Sequence, residues 1–324
     1  MRAVIVRRLG PPEVLEVVDR PDPAPGPGQV LVDVDVAAVT FIDTQVRAGR
    51  SPRPLEPDEL PFVPGNGVGG TVAAGGPEVD TSWLGQRVVT ATGGRGGYAT
   101  KALASAGDLH RLPAGVELTT AVALLADGRT AIGLARAAAI REGDAVMVTA
   151  AAGGVGSLLV QLARRAGARV VALAGGERKL EHARTLGADV AVDYREPAWP
   201  ERVAAAVPGG LDVGFDGVGG ATGRQVFELL RTGGRYLPHG AASGQWSDVT
   251  ADEARRRGVS IVPLDAVAAT PSEQHALVEE ALAAAAAGWL RPTIGQTWPL
   301  KQAAAAHAAI EARATLGKTV LLTS

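Results

Sequence analysis

The sequence has no cysteine among its 324 residues, and this absence excludes several chemistries together. Without a thiol the chain forms no disulfide, has no thiolate nucleophile and offers no cysteine ligand to zinc. An excess of one charge sign is also absent, because 32 Lys and Arg balance 34 Asp and Glu to a net charge of −2. Nucleic acids and anionic membrane surfaces are bound by clustered positive charge, so we expect neither as a partner.

Long hydrophobic runs are lacking as well. The apolar part of the N-terminus, residues 3–6, is too short for a signal peptide. The longest apolar run, residues 281–290, falls far short of the roughly 20 residues that a membrane span requires. The sequence therefore predicts a cytoplasmic protein, long enough for two domains of ordinary size.

A glycine-rich turn between a strand pattern and a helix pattern is the clearest positive signal. The apolar residues 145–149 lead into the sequence AAAGGVG at 150–156, and a helical pattern follows over 157–166. Gly153 lets the backbone approach a pyrophosphate and Gly156 lets the helix pack close to its strand, although Ala151 replaces the first glycine of the fingerprint. Such turns also occur for steric reasons alone. The predicted cofactor-binding residues here are Ala152, Gly153, Gly154, Val155 and Gly156.

Strand and helix patterns alternate regularly after this turn. The predicted strands cover residues 169–174, 189–194, 211–216, 234–237 and 259–264, with helical patterns between them. Alternation at this spacing predicts a parallel sheet with right-handed crossovers. We therefore expect an α/β fold with a doubly wound, parallel-sheet (Rossmann) nucleotide domain.

The first part of the chain has a different pattern. Valines at 30, 32, 34 and 36 alternate with other residues, which indicates a strand with one buried face. Further short strand patterns separated by Pro and Gly predict a β-rich domain, and a strand pattern near the C-terminus is expected to return to it. The predicted domains are residues 1–118 with 266–324, and the nucleotide domain at 119–265.

The end of the second strand of the nucleotide domain indicates which dinucleotide it prefers. NAD-binding proteins place a carboxylate there, whereas a 2′-phosphate requires cations. Here Gly175 and Gly176 carry no acid, and Lys179, one of only four lysines in the chain, follows. Tyr194 is expected to reach the same phosphate. Glu177 favours NAD, and Lys179 has an alternative role as a solvated helix residue, but the balance predicts NADPH.

Many short motifs, in this order, resemble one family. They are residues 39–44 with Arg47 and Gly49, then 64–65, 69–72, 85–88, 97–99, 112–116, 128–131, 151–156, 186–189, 193–195, 215–220 and 317–318. The chain resembles the zinc-free, zeta-crystallin-like quinone oxidoreductase branch of the medium-chain dehydrogenase/reductase family. The resemblance implies a β-rich GroES-like catalytic domain beside the nucleotide domain, commonly in a homodimer.

The function that this resemblance implies is NADPH-dependent, zinc-independent hydride transfer to a quinone or a similar electrophilic carbonyl. Metal-dependent relatives carry Cys, His and Glu at positions resembling Thr40, Asn66 and Gly67, so no metal site is expected. Two alternatives stay open. One is an enone or enoyl (alkenal) double-bond reductase, since enones present a similar electrophilic edge. The other is a cofactor-binding protein without turnover.

The resemblance also implies site residues. Thr40, Gln45 and Arg47 form the expected donor set for the acceptor carbonyl, although the branch usually has Asn where Thr40 stands and often Tyr where Gln45 stands. The expected cofactor contacts are Lys179 and Tyr194 at the 2′-phosphate and Thr130 on the nicotinamide side, with Gly240 and Lys318 in addition.

Three of the residues near these positions have alternative roles. Asp43 is equally suited to capping the helix that begins there, and Arg47 to a structural ion pair. His239 ends the fifth strand, at the sheet edge where open α/β sheets bind ligands. Because the family's usual residue there is apolar, His239 is a hypothesis for the nicotinamide pocket.

Overall fold

The structure is a computed structural model that describes residues 1–51, 55–267 and 270–324. It divides into two compact units, Met1–Ala126 with Val278–Ser324, and Asp127–Leu277. The predicted boundaries lay eight residues earlier at the first junction and twelve residues earlier at the second.

The first unit is β-rich. Its strands are β1 (Arg2–Val6), β2 (Leu15–Asp19), β3 (Gln29–Val39), β4 (Gly67–Gly75), β5 (Arg87–Ala91), β6 (Lys101–Ser105) and β7 (Leu109–Arg111), joined by β14 (Ile294–Pro299) and β15 (Lys318–Leu322) from the returning segment. Its helices are α1 (Phe41–Arg47), α2 (Leu118–Ala123) and α10 (Ala303–Glu311). The large sheet has the order β14-β15-β3-β4-β5-β7, with β6 also paired to β3, and β1 pairs with β2 separately.

Strand β3 shows why this sheet forms. Val30, Val32 and Val34 on alternate positions are buried, as the period of two predicts, while Asp33 and Asp35 are exposed. Every pairing in the large sheet is antiparallel except that of β14 with β15. The predicted return of the C-terminal strand is thus observed.

Helix α2 explains why the first unit extends beyond residue 118. Its Leu118 and Val122 are buried in one hydrophobic cluster with Val36 and Val89 of the sheet. The same cluster contains Val278, from a later helix that runs across the second junction. Apolar burial of this kind, worth about 1.5–3 kcal/mol per large side chain, attaches both segments to the β-rich unit.

The second unit is an α/β layer structure. Its strands are β8 (Ala145–Val148), β9 (Arg169–Ala174), β10 (Val190–Asp193), β11 (Leu211–Asp216), β12 (Leu230–Pro238) and β13 (Ser260–Ile261). Its helices are α3 (Arg129–Ala138), α4 (Gly154–Arg165), α5 (Glu177–Thr185), α6 (Trp199–Ala206), α7 (Gly220–Glu228), α8 (Ala251–Arg257) and α9 (Pro271–Ala286), the last of which enters the first unit.

These six strands pair in the order β10-β9-β8-β11-β12-β13, and every pairing is parallel. Strands β9 and β10 lie on one side of β8, and β11, β12 and β13 lie on the other. The strand order therefore reverses at β8, the first strand of this sheet along the chain. Open sheets of this kind bind ligands at the carboxyl ends of their strands beside the reversal. The predicted doubly wound, parallel-sheet nucleotide domain is confirmed.

One helical stretch, Leu118–Ala138, is long and apolar enough to cross a membrane. It comprises α2, a π-helical segment at Leu124–Gly128 and α3. Because 61% of its most apolar window is buried inside the protein, the stretch fits a core helix.

Candidate functional site

The turn between β8 and α4 has little room for side chains. A Cβ added at Gly156 would lie 2.3 Å from the carbonyl oxygen of Ala150, and one added at Gly154 would lie 2.0 Å from Oδ2 of Asp127. Ala150 itself adopts a positive φ of 48°. The close contact with a backbone atom makes glycine necessary at position 156, because the helix cannot approach its strand otherwise.

Helix α4 begins directly after this turn. Its N-cap residue is Gly153, which has no side chain to cap the helix, and the helix continues for 12 residues. The first N–H groups of a helix have no intrahelical partner, and its N-terminal end carries positive partial charge. The turn therefore fits a dinucleotide pyrophosphate, and Gly154 and Val155 contribute the first helical N–H groups.

A second corner lies at the ends of β9 and β10. Gly175 and Gly176 follow β9, and the Tyr194 hydroxyl lies 3.1 Å from the place that a Cβ on Gly175 would take. Nη2 of Arg195 lies 3.1 Å from the corresponding place on Gly176. Lys179 is half-buried in the first turn of α5. A hydroxyl and two cationic side chains thus belong to the segments that follow β9 and β10, and a 2′-phosphate requires groups of this kind.

Asp193 fixes the conformation of this corner. Its Oδ2 accepts the Gly176 N–H at 2.9 Å, and its carboxylate accepts bonds from the Arg195 guanidinium at 2.6–3.1 Å. The Arg195 hydrogen bonds lower the pKa of Asp193 to about 2, against the opposing effect of burial. The carboxylate is therefore ionised at neutral pH and holds Arg195 beside the glycine pair.

The ends of β11 and β12 form a third part of the same edge. Asp216 is buried, and its oxygens accept hydrogen bonds from the Thr149 and Tyr236 hydroxyls at 3.1 and 2.7 Å. The Gly240 N–H contacts the Asp216 carbonyl at 3.2 Å. A Cβ at Gly240 would meet the Gly217 carbonyl oxygen at 2.8 Å. The backbone at Gly240 is thus held tightly at the sheet edge.

Two other predicted cofactor residues lie in different places. Thr130 is half-buried near the start of α3, in the second unit. Lys318 is buried on β15, in the first unit, where its positive charge partly opposes the burial that raises the pKa of Asp43. Both remain predictions as cofactor contacts.

In the first unit, Thr40 and Asp43 form a capping box at the start of α1. Thr40 Oγ1 donates to Oδ2 of Asp43 at 2.7 Å, and the Thr40 N–H donates to the same oxygen at 2.8 Å. The structure thus shows the capping role for Asp43. The Thr40 hydroxyl donates its proton to this carboxylate, and its oxygen accepts the Asp43 N–H at 3.4 Å.

Asp43 continues into a buried polar chain. The Tyr98 hydroxyl lies 3.3 Å from Oδ2 of Asp43 and 3.0 Å from Nε2 of His307. Burial raises the pKa of Asp43 and, with the nearby Asp43 charge, raises that of Tyr98 well above its usual range. Burial, and secondarily the positive charge of Arg47, lowers the pKa of His307 to about 3. His307 is therefore neutral at physiological pH.

Arg47 and Gln45 have defined partners on α1. Arg47 is fully buried and donates to the Gly10 carbonyl and to Glu311, with which it forms an ion pair. This geometry favours the structural role of Arg47 over contact with an acceptor. Gln45 is half-buried, accepts from Arg50 Nε at 3.2 Å and donates one amide hydrogen to Thr44 at 3.0 Å. Among the residues that the structure describes, its second amide hydrogen has no partner.

The positions that resemble zinc ligands do not fit a zinc ion. Thr40 donates its proton to Asp43, and Asn66 accepts the N–H groups of Thr92 and Gly94 through its amide oxygen at 3.3 and 2.6 Å. Gly67 has no side chain. Zinc requires thiolate, imidazole or carboxylate donors, and none stands at these three positions.

Comparison with known proteins agrees with this geometry. Residues 26–114 match the alcohol dehydrogenase GroES-like domain family, and residues 186–321 match the zinc-binding dehydrogenase family. A quinone oxidoreductase of Sus scrofa is 32% identical over 327 residues, covering 99% of this chain and 98% of that protein. A 2-haloacrylate reductase of a Burkholderia species is 32% identical over 328 residues, with the same coverage. The crystal structure of Escherichia coli quinone oxidoreductase complexed with NADPH superimposes with a TM-score of 0.91 at 28% identity, covering 99% of this chain and 100% of that one.

Sequence reasoning missed several residues that shape these sites. Tyr98 and His307 are 209 positions apart, and no local pattern marks their contact. Asp127 beside Gly154 was also missed, as was the tie between Asp193 and Gly176. The sequence did offer one indication of a structural role for Asp193. A carboxylate at the end of a strand is unusual in a corner that otherwise favours a phosphate.

Proposed function

Because this chain belongs to the quinone oxidoreductase branch of the medium-chain dehydrogenase/reductase family, we propose that it is an NADPH-dependent, zinc-independent quinone oxidoreductase. The observation that carries this proposal is the uncapped start of α4 above a turn with no room for a side chain at Gly156. Its relatives include named quinone oxidoreductases over essentially the whole chain and a structural neighbour complexed with NADPH.

The second unit supplies the cofactor contacts. The N–H groups of Gly154 and Val155 bind the pyrophosphate, while Lys179 and Tyr194 bind the 2′-phosphate. Ala152, Gly153 and Gly156 keep the turn narrow enough for the backbone to approach. Thr130 and Gly240 contact the nicotinamide half. NADPH, when bound, supplies a hydride.

The first unit supplies groups for the acceptor. Negative charge develops on the acceptor oxygen as hydride arrives, and a fixed N–H donor stabilises that charge. The second amide hydrogen of Gln45 is suited to this role, because its other amide contacts hold the group in place. Thr40 stands at the N-cap of the same helix, and Arg47 supports α1 through its ion pair with Glu311.

A double-bond reductase is the second candidate, and one specific observation favours it. The 2-haloacrylate reductase matches this chain as completely as the quinone oxidoreductases do. Both reactions add hydride to an electron-poor conjugated system, so the same donor and the same cofactor site serve either. The quinone remains the first choice because quinone oxidoreductases from several organisms match this chain over 97–99% of its length.

A comparison of acceptors tests the proposal. NADPH oxidation is followed at a fixed enzyme concentration with a benzoquinone, a 2-haloacrylate and an alkenal, with the rate without enzyme subtracted. We expect the largest kcat/KM with the quinone. A larger value with the haloacrylate or the alkenal would assign the chain to the double-bond reductases, and binding of NADPH without oxidation by any acceptor would indicate a protein without turnover.

We further propose that the protein works in the cytoplasm as a homodimer. The near-balanced charge and the burial of its most apolar helical stretch support a protein free of the membrane. Sedimentation velocity at micromolar concentration tests the dimer, since the monomer has a mass of 33.0 kDa. A single species at the monomer mass would contradict it.

A further inference from the structure

The register of the parallel sheet indicates where the nicotinamide end of the cofactor lies. Val148 of β8 stands beside Phe215 of β11, which stands beside Leu237 of β12. On the other side of β8, the ends of β9 and β10 carry the glycine pair and Tyr194. A dinucleotide with its 2′-phosphate at that corner and its pyrophosphate at the β8 turn therefore extends toward β11 and β12. This inference rests on the proposed function.

His239 is the first residue after β12 on this edge. Its backbone N–H donates to the Asp216 carbonyl at 2.8 Å, which ties the end of β12 to that of β11. Strands lie about 4.8 Å apart, so His239 is about 10 Å from β8, two strand spacings away from the turn. The side chain is half-buried and thus both fixed and accessible.

The hydrogen bonds of the imidazole define its tautomer. Nδ1 lies 3.3 Å from the Leu237 carbonyl oxygen, and because a carbonyl only accepts, the proton is on Nδ1. Nε2 then carries a lone pair. It lies 2.9 Å from the place that a Cβ on Gly217 would take, so the absence of a side chain there makes room for the ring. Within the described ranges of the chain, Nε2 has no hydrogen-bond partner.

The imidazole is also neutral at physiological pH. Burial lowers the pKa of His239, and the opposing effects of the Leu237 carbonyl and the Asp216 charge are smaller. The Asp216 carboxylate is itself occupied by the Thr149 and Tyr236 hydroxyls. His239 therefore presents a hydrogen-bond acceptor, and not a cation, at the nicotinamide end of the edge.

We propose that Nε2 of His239 accepts a hydrogen bond from the carboxamide N–H of the nicotinamide and thereby sets the rotation of the ring. The carboxamide is the part of the nicotinamide that has N–H donors, and a neutral imidazole with a free lone pair is their complement. His239 is a positioning residue in this account, since it contacts the cofactor away from the carbon that releases hydride.

A cofactor analogue tests this contact directly. The 3-acetylpyridine analogue of NADP⁺ keeps the carbonyl oxygen but has a methyl group in place of the amide NH₂. Binding of both nucleotides is measured by isothermal titration calorimetry for the wild type, His239→Phe and His239→Gln. Because the analogue lacks the NH₂ donor, we expect the wild type to bind NADP⁺ about fivefold more tightly than the analogue, the ratio that one neutral hydrogen bond supplies.

The variants separate this contact from a packing role. His239→Phe keeps an aromatic ring without an acceptor and should bind both nucleotides equally, whereas His239→Gln retains an acceptor and should keep part of the preference. Lys179→Met is the matched control, because it should weaken both nucleotides and leave their ratio unchanged.

Two outcomes would overturn the assignment of His239. They are equal binding of both nucleotides by the wild type, and a preference that persists in a folded His239→Phe. If the wild type binds neither nucleotide, the proposed function itself fails. The two outcomes above leave nucleotide binding intact, so they contradict only the assignment of His239.

Discussion

The buried His307 makes the stability of the protein depend on pH in a calculable way. The ring is fully buried on α10, and its Nε2 contacts the Tyr98 hydroxyl at 3.0 Å. Burial, and to a lesser extent the charge of Arg47, lowers the pKa of His307 to about 3. In the unfolded chain the same group titrates near ~6.5. The unfolded state therefore binds more protons at this site between these two pH values.

The sign and size of the effect follow from that difference. The contribution of His307 to the free energy of unfolding is fully present above pH ~6.5 and is lost as the pH falls toward 3. The loss is about 1.4 kcal/mol for each pH unit in this window. Between pH 7 and pH 5 the protein should therefore lose about 2 kcal/mol of stability through this one residue.

Urea unfolding of the wild type and of His307→Gln at pH 7 and pH 5 measures this loss. Gln keeps polar atoms for the Tyr98 hydroxyl but does not titrate. Both proteins contain all the other histidines, so the difference between their losses of stability is the contribution of His307. We expect the wild type to lose about 2 kcal/mol more than the variant between the two pH values.

An equal loss in both proteins would refute this reasoning, because it would mean that His307 takes up its proton in the folded state. Should the variant fail to fold, an NMR titration of the wild-type imidazole signals gives the same answer. A His307 signal that titrates near pH 6 in the folded protein would contradict its burial as a neutral ring.

Three further predictions concern the cofactor and the acceptor. Gly156→Ala should weaken NADPH binding more than tenfold by calorimetry, because its Cβ would lie 2.3 Å from the Ala150 carbonyl oxygen. The control Gly209→Ala should leave binding unchanged, because its Cβ would meet nothing within 4 Å. Equal effects of the two variants would contradict the close packing of the turn. Lys179→Met should weaken NADPH about tenfold and leave NADH unchanged in competitive fluorescence titrations, and a parallel loss for both would remove it from the 2′-phosphate site. Gln45→Leu should lower kcat/KM for benzoquinone about tenfold with unchanged NADPH affinity, and an unchanged kcat/KM would exclude it as a donor.

Periodic and local features of the fold were predictable from the sequence. The alternation of buried and exposed residues in β3 depends on contacts within a few residues, and so does the strand, turn and helix around Gly153. Local sequence patterns therefore predict both features. The last predicted strand of the parallel sheet, at residues 259–264, is shorter in the structure, where β13 covers Ser260–Ile261. Pro263 follows and cannot donate a ladder hydrogen bond, which explains the early end.

The candidate site was less predictable than the fold. The glycine turn between a strand and a helix is local, so the sequence could predict it, whereas the role of Lys179 stays a prediction. The partners of Arg47 are not local, since Glu311 lies 264 positions away and Gly10 lies on the other side along the chain. Contacts between residues so far apart in the chain leave no local sequence pattern. The sequence therefore left open whether Arg47 lines the cleft or forms a structural ion pair, and the structure favours the ion pair.

Hydride transfer from NADPH to a quinone is tested by a single-turnover experiment. The enzyme, mixed with less than one equivalent of NADPH, is combined with excess benzoquinone in a stopped-flow instrument. We predict loss of the NADPH absorbance in one exponential phase, far faster than without enzyme, with one hydroquinone formed for each NADPH oxidised. Oxidation at the rate seen without enzyme would contradict hydride transfer by this protein.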